Sequence, residues 1–297
     1  MVLLSNLPPS TVIILPKKMI RTLRLRLTLF LRFAYLFIIK QIEEYNMKFI
    51  CAKNTEEAGH IAAEIMAEVI KERPDAVIGL ATGSTPLDMY RALIDMYLSG
   101  ELSFARVRSV NLDEYVGLSP THTQSYARFM RENLFNLVDI PEENTYIPSG
   151  ISDNPREECL RYDRLLDLLG RVDIQLLGIG NNGHIAFNEP DDCYPRDTTL
   201  VTLSESTVRA NSRFFDSPDL VPRQAISMGI GRILRAKRIL LLATGEGKAE
   251  ILERSLFGKI TPTVPASILQ FYQGELTVVT DPAAFSKIRA LHPEVMG

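Results

Sequence analysis

The stretch AVIGLATGSTPLDMYRALIDMYLSG, residues 76–100, places a strand, a glycine turn and a helix in direct succession. Ala76–Ala81 form an apolar run, which is typical of a strand covered on both faces. The turn Thr82–Pro86 ends this run. A helix is expected from near Pro86 to near Gly100, because proline suits the first helical position. This succession predicts one strand-helix unit of a parallel sheet.

The same succession recurs in VDIQLLGIGNNGH, residues 172–184, and in KRILLLATGEGKAEILERSLFG, residues 237–258. Right-handed crossovers bring the turns after parallel strands to one edge of a sheet, so the three glycine turns should border one crevice. We therefore predict an α/β fold, a Rossmann-like parallel-sheet sandwich with helices on both faces. Residues 204–224 are helical at first and then polar with prolines, which indicates either a lid over the crevice or an ordinary surface connection.

The first 46 of the 297 residues differ from the rest of the chain. Arg24, Arg26 and Arg32 interrupt their apolar positions, and the apolar run Phe33–Ile39 has only seven residues, far short of the ~20 that cross a bilayer. Regular α/β patterning starts at Met47. We predict a single domain over residues 47–297 and an atypical extension over residues 1–46, either disordered or the product of a wrong start site.

Composition narrows the class of protein. A formal net charge of −3 with 23% charged residues is ordinary for a globular protein and gives no reason to expect nucleic acid or a membrane as partner. Cys51, Cys159 and Cys193 form no paired motif, which argues against a disulfide framework or a zinc site and favours the cytoplasm. Fingerprints for nucleoside triphosphates and dinucleotides are absent from the sequence, so no cofactor is expected.

Two of the glycine turns carry groups that suit an anion. In TGSTP, residues 82–86, the glycine allows close backbone approach, the hydroxyls donate hydrogen bonds and the helix N-terminus adds a favourable dipole. Lys248 follows the turn TGEG at the start of a helix, where a cation is unfavourable unless it pairs with an anion. Arg213 is a second candidate cation. The alternatives are a capped tight turn and solvated surface cations.

Two pairs of ionisable residues bear on acid-base chemistry. Asp113 and Glu114 follow a predicted strand, and neighbouring side chains there point in opposite directions. We expect Asp113 to face the crevice and Glu114 to make a structural contact, the alternative being a simple turn or helix cap. His184, in a glycine-flanked turn, can exchange protons near neutral pH while Glu189 holds its second ring nitrogen; the alternative is a loop histidine without a role. Together they predict proton transfer on a small phosphorylated metabolite.

Six segments in order resemble the glucosamine-6-phosphate deaminase family. They are GLATGSTP, NLDEYVGL, HTQSYARFM, GIGNNGHIAFNEP, ANSRFF and the glycine turn before Lys248. The resemblance runs from about Met47 to about residue 280. It implies an enzyme that isomerises an aldose to a ketose with loss of ammonia, converting glucosamine 6-phosphate and water to fructose 6-phosphate and ammonia.

The resemblance also implies roles for single residues. Asp113 is similar to the family's general base, which takes the C2 proton and returns one to C1. His184 resembles the acid-base group that opens the sugar ring, with Glu189 and Asn182 completing that set. No metal, nicotinamide or Schiff base is required. The phosphate is expected to contact four turn residues and two cations, which are Thr82, Gly83, Ser84, Thr85, Arg213 and Lys248.

Two positions bear on regulation and on tolerance of change. Some family members carry aspartate where this chain has Asn182, so we expect Asn182→Asp to be tolerated, although a neutral amide cannot stabilise an imidazolium by charge. Allosterically activated members have a serine and an Arg-x-Lys-Thr pattern where this chain has Asp192 and Thr199–Thr202, so we expect no activation by N-acetylglucosamine 6-phosphate.

The oligomeric state is open between a monomer and a homo-oligomer. The alternative functions are a 6-phosphogluconolactonase-like hydrolase and a non-enzymatic phosphosugar-sensing domain.

Overall fold

The structure is a computed structural model that describes residues 47–215 and 217–296. Ten strands lie in this part of the chain. They are β1 (Met47–Cys51), β2 (Val77–Leu80), β3 (Arg108–Asn111), β4 (Asp113–Tyr115), β5 (Thr145–Tyr146), β6 (Ile174–Leu177), β7 (Thr199–Thr202), β8 (Gln224–Ser227), β9 (Arg238–Ala243) and β10 (Glu275–Thr280).

The same described residues contain eight α-helices, several of them followed by short 3-10 turns. They are α1 (Thr55–Glu72), α2 (Leu87–Leu98), α3 (Tyr126–Asn133), α4 (Pro155–Leu169), α5 (Glu205–Asn211), α6 (Ile230–Ile233), α7 (Ala249–Leu256) and α8 (Ser286–Leu291).

Seven strands form one parallel sheet in the order β1-β10-β9-β6-β2-β3-β5. Every residue of β2 and β6 is buried, and so is all of β9 except its first residue. Because successive side chains of a strand point to opposite faces, complete burial means that both faces of the sheet are covered. The predicted parallel-sheet sandwich is therefore confirmed, and the sheet occupies the centre of the hydrophobic core.

A second sheet was not predicted from the sequence. Strands β4, β8 and β7 form an antiparallel three-stranded sheet in which Asp113 pairs with Ser227 and Glu114 with Ile226. Asp113 and Glu114 were expected just past the end of a strand. They lie in a strand of their own instead, because their backbone groups pair with β8, which lies more than a hundred residues further along the chain.

Residues 204–224 pack against the crevice edge. They begin with α5, and two 3-10 turns follow at Ser212–Phe214 and Pro218–Leu220. The Asn211 amide donates a hydrogen bond to the Tyr115 hydroxyl at 2.8 Å, and the Phe215 ring meets the Tyr115 ring edge-on with centroids 5.9 Å apart. These contacts make the segment part of the crevice wall. Its movement as a lid stays a prediction.

The extension over residues 1–46 lies outside the described residues, so the expectation for it stays a prediction. The described residues from Met47 onward belong to one compact unit. None of the helices within residues 47–215 and 217–296 has the length and apolar character needed to cross a membrane.

Candidate active site

The three glycine turns meet in one crevice at the carboxyl edge of the parallel sheet. They follow β2, β6 and β9, and residues from each of them line a cavity of about 1140 Å³. Because parallel strands end at the same edge, the turns come together although they are far apart in sequence. This arrangement confirms the prediction of a shared crevice. The predicted site residues that line it include Thr82, Gly83, Ser84, Thr85, Asp113, Asn182, His184, Arg213 and Lys248.

The turn Thr82–Pro86 presents backbone and hydroxyl donors to the crevice. Gly83 has a φ of +98°, a left-handed conformation that residues with a Cβ rarely adopt. Helix α2 starts directly after Pro86, and no side chain caps its N-terminus. Uncapped amide groups at a helix start attract negative charge. The turn therefore has the geometry of an anion site.

Two cations line the crevice together with this turn. Lys248 stands at the start of α7, and its ammonium donates a hydrogen bond to the Asn181 side-chain oxygen at 2.6 Å. Burial lowers the pKa of Lys248, and the positive charge of Arg213 lowers it further. Like charges that face the same cavity favour an anion between them.

Asp113 is buried at the crevice wall, with 7% of its surface exposed. Burial raises the pKa of Asp113 to about 8, and the neighbouring charge of Glu114 contributes to the rise. A carboxylate with this pKa is a stronger base than an exposed one and changes its protonation state near neutral pH. The side chain thus faces the crevice, as the sequence predicted.

Glu114 points away from Asp113 and holds the next helix. Its carboxylate accepts hydrogen bonds from the backbone amides of Tyr115, Tyr126 and Ala127, at 2.8, 3.0 and 2.9 Å. The last two belong to the first turn of α3. Burial raises the pKa of Glu114, and these three donors oppose the rise. The predicted division between an inward and a structural acid is confirmed.

His184 lies against the backbone of its own turn. A Cβ atom added at Gly180 would lie 2.2 Å from the His184 ring, so any larger residue there would displace the imidazole. The turn is closed by hydrogen bonds from the Gly180 amide to the His184 carbonyl at 2.8 Å and from the Gly183 amide to the Gly180 carbonyl at 3.0 Å. Gly180 and Gly183, the glycines that flank the histidine turn, thus fix the position of the imidazole.

Glu189 accepts a hydrogen bond from the Asn182 amide at 2.7 Å. The His184 Nδ1 atom lies 3.7 Å from the same carboxylate oxygen, an ion-pair distance that exceeds hydrogen-bond length. Burial acts to raise the pKa of Glu189, but His184, Thr207 and Asn182 together outweigh it and lower the pKa to about 2. Glu189 is therefore ionised throughout the neutral range.

The Asn182 side chain contacts both other members of the predicted ring-opening set. Its amide nitrogen donates to Glu189 at 2.7 Å, and its oxygen accepts from the His184 backbone amide at 3.2 Å. Turn geometry decides this, because the side chain leaves a tight turn in a direction that sequence spacing does not specify.

Three further residues of the crevice were not assigned from the sequence. Asn181 contacts Lys248, Thr207 contributes to the low pKa of Glu189, and the Tyr126 hydroxyl interacts with Thr82. The asparagine pair was visible in the sequence, but nothing in it assigned separate partners to its two members. Thr207 lies on α5, whose packing on the crevice the sequence does not reveal.

The site can hold an anion at one end and move protons at the other. A base with a raised pKa and an imidazole beside an ionised carboxylate line the same cavity as the two anion-binding turns. Among the described residues, no group of three or more histidine, cysteine or acidic side chains is arranged to hold a metal ion. The fold and the site together define the class of protein. It is a parallel α/β protein with acid-base groups and anion-binding turns at one edge of its sheet.

Comparison with known proteins identifies the family within that class. Residues 52–278 match the family described as glucosamine-6-phosphate isomerases/6-phosphogluconolactonase. A glucosamine-6-phosphate deaminase of Clostridium perfringens is 52% identical over 238 residues, which are 80% of this chain and 98% of that protein. One from Thermoanaerobacter sp. is 50% identical over 242 residues, 82% of this chain and 95% of the relative. The chain belongs to the glucosamine-6-phosphate isomerase/6-phosphogluconolactonase family.

Solved structures agree with this assignment. A monomeric glucosamine-6-phosphate deaminase is 47% identical, has a TM-score of 0.79, and aligns over 81% of this chain and 100% of its own. A 6-phosphogluconolactonase from Thermotoga maritima has a TM-score of 0.63 at 20% identity, over 79% of this chain and 99% of its own. The second likeness shows the shared fold alone.

Proposed function

We propose that the chain is a glucosamine-6-phosphate deaminase, which converts glucosamine 6-phosphate and water to fructose 6-phosphate and ammonia. The observation that carries the proposal is the convergence of Asp113, His184 and two anion-binding turns in one crevice. Relatives at about half identity over nearly their whole length bear the same name. An aldose-ketose isomerisation requires a base, and an anion site beside that base suits a sugar that carries a phosphate.

The phosphate end supplies orientation. We propose that the phosphate dianion rests on the turn Thr82–Thr85, at the start of α2, with Arg213 and Lys248 as its cationic partners. Both cations line the crevice, and their mutual repulsion favours an anion there. Binding energy from this remote group holds the reacting carbons in place and so favours the transition state.

Ring opening is assigned to His184 and Glu189. The pyranose must open first, because the C2 proton becomes acidic only when C1 is a carbonyl. His184 takes the proton of the C1 hydroxyl and delivers one to the ring oxygen. The ionised Glu189, at 3.7 Å, stabilises the imidazolium, and Asn182 holds the Glu189 carboxylate at 2.7 Å. A positioned imidazole contributes roughly 10²–10⁴-fold to such transfers.

Proton transfer between carbons is assigned to Asp113. Its carboxylate takes the C2 proton and returns it to C1 by way of an enolamine, while the C1 oxygen gains one proton and the amino group gives one up. C1 then carries a hydroxyl and C2 carries an imine. Water then adds to C2, and ammonia leaves. The raised pKa of about 8 suits this role, since a base works best when its pKa is near the working pH.

The assay is direct. Purified protein is given glucosamine 6-phosphate, and ammonia and fructose 6-phosphate are measured in equal amounts. Hydrolysis of 6-phosphogluconolactone without ammonia release would favour the lactonase instead. Tight binding of the phosphosugar without any product would favour a sensing domain.

The oligomeric state, the domain bounds, the location and the form of the kinetics are also proposals. Because the solved deaminase at 47% identity is described as monomeric, we propose that this chain is a monomer, which light scattering tests against the chain mass of 33.4 kDa. Residues 47–297 are proposed to be the enzyme domain. Three free cysteines support a cytoplasmic location, and the absence of a cation at Asp192 and within Thr199–Thr202 supports simple hyperbolic kinetics.

A further inference from the structure

The contact between Asn181 and Lys248 joins two of the glycine turns. Asn181 belongs to the turn after β6 and Lys248 to the turn after β9, which are neighbouring strands of the sheet. The Lys248 ammonium donates to the Asn181 oxygen at 2.6 Å. An interaction this short, with a charged donor, belongs to the stronger class of hydrogen bonds.

Two adjacent residues of this turn contact two different functional groups of the site. The Asn181 oxygen contacts the cation at the anion end, whereas the Asn182 amide contacts Glu189 at the acid-base end. The turn between them is closed by its own backbone hydrogen bonds and by one from the Ala266 amide to the Gly183 carbonyl at 2.8 Å. A rigid turn therefore sets the distance between the ammonium and the ring-opening pair.

The neutrality of the amide matters for an anion. An ammonium has three donors, and Asn181 occupies one of them without removing the charge. A carboxylate at the same place would form an ion pair with Lys248 and would repel a phosphate dianion. The amide thus holds the ammonium in one direction and leaves its full charge and its other donors to a ligand.

We propose that Asn181 is a positioning residue that aims the Lys248 ammonium at the ligand phosphate and, by being neutral, preserves its charge for that phosphate. This inference rests on the proposed function, because it takes the anion end of the crevice to be the phosphate site. It adds a residue that acts through Lys248 and does not itself take part in proton transfer.

Binding of inorganic phosphate to the full chain, measured by calorimetry, tests the proposal. Asn181→Asp should raise the dissociation constant about tenfold and Asn181→Leu about threefold, because one variant cancels the charge and the other only loses the hydrogen bond. Gln273→Glu, the same gain of charge at an exposed position before β10, at the opposite edge of the sheet, should bind as the unchanged chain does.

The order of these affinities decides the outcome. If Asn181→Asp binds phosphate as well as Asn181→Leu does, or if Gln273→Glu loses as much, the proposal is overturned. In a Lys248→Met background, Asn181→Leu should change the affinity less than about twofold, because the partner is gone. A further threefold loss there would show that Asn181 does not act through Lys248.

Turnover gives a second, independent measurement. With glucosamine 6-phosphate, Asn181→Leu should raise KM about threefold and leave kcat within about twofold, whereas a merely structural role would lower kcat and Tm together. Should the unchanged protein release no ammonia yet show the predicted order of phosphate affinities, the deaminase proposal fails and the role of Asn181 stands.

Discussion

At the scale of the residue, the protonation of Asp113 should govern the pH dependence of the reaction. A general base must be ionised to act, and burial together with Glu114 raises the pKa of this one to about 8. We expect kcat/KM for ammonia release to fall as the pH drops below about 8. Asp113→Asn should abolish turnover and leave phosphate binding intact. An acidic limb near pH 4 would contradict the assignment.

Stability gives a check on Asp113 that needs no substrate. Its folded pKa of about 8 lies above the ordinary 3.8, so its contribution to stability is present below pH 4 and is lost as the pH rises through 8. Asp113→Asn should therefore raise Tm at pH 9 by roughly 2–4 °C or more, with little change at pH 4. Equal melting curves at both pH values would mean that Asp113 is not a destabilised carboxylate.

Asn182 should matter through the donor that it gives to Glu189. Asn182→Ala removes this hydrogen bond, which raises the pKa of Glu189 from about 2 and should lower kcat/KM about 10- to 100-fold. Asn182→Asp brings a second carboxylate to 2.7 Å, where the pair must share a proton. The sequence predicts that the enzyme tolerates Asn182→Asp. Because residue 182 contacts Glu189, we now expect this only at low pH, where the two carboxylates share a proton.

A pH series on both Asn182 variants separates these effects. Relative to the unchanged chain at the same pH, Asn182→Asp should keep much of the activity at pH 6 and a falling share of it as the pH rises and the shared proton leaves. Asn182→Ala should be slow at every pH. If both variants match the unchanged chain throughout, Asn182 is only a turn residue.

At the scale of the element, Glu114 links strand β4 to helix α3. It accepts three backbone hydrogen bonds, two of them from the first turn of α3, and its charge raises the pKa of Asp113. Glu114→Gln should weaken the helix start by about 1 kcal/mol. Since the neighbouring charge is gone, the pKa of Asp113 should fall and the acidic limb of kcat/KM should move to lower pH.

Glu72→Gln is a suitable control for Glu114→Gln, because it removes an exposed acid that pairs with Arg238 and does not line the crevice. It should leave the acidic limb in place. If the acidic limb of kcat/KM moves equally in both variants, the cause is the change of net charge. If it moves to higher pH in Glu114→Gln, the proposed coupling between Glu114 and Asp113 is contradicted.

Sequence patterns predicted the elements that a single short run of apolar residues specifies. Continuous apolar runs gave β2, β6 and β9, and the turns after them gave the crevice, because parallel strands share an edge. The antiparallel sheet was missed, since short strands such as DEY owe their structure to a distant partner. The partner of Asn181 was missed for a similar reason, as side-chain direction in a tight turn is set by backbone geometry.

At the scale of the whole molecule, we expect the enzyme to be complete from Met47 onward. Strand β1 pairs along its full length with β10, from Met47 opposite Leu276 to Cys51 opposite Thr280. Phe49 also packs between Phe257 and Phe285, with ring centroids 5.8 and 5.9 Å away. A chain of residues 47–297 keeps all of these contacts.

Residues 47–297 should therefore keep Tm within about 2 °C and kcat/KM within about twofold of the full chain. A chain of residues 54–297 is the matched control, because it lacks β1, leaves the edge of β10 unpaired and removes the Phe49 ring from Phe257. It should unfold at lower temperature or aggregate, as an unpaired apolar edge strand does. Thermal melts and ammonia release measure both. If residues 47–297 fail in the same way as residues 54–297, the extension belongs to the folded domain and the boundary at Met47 is wrong.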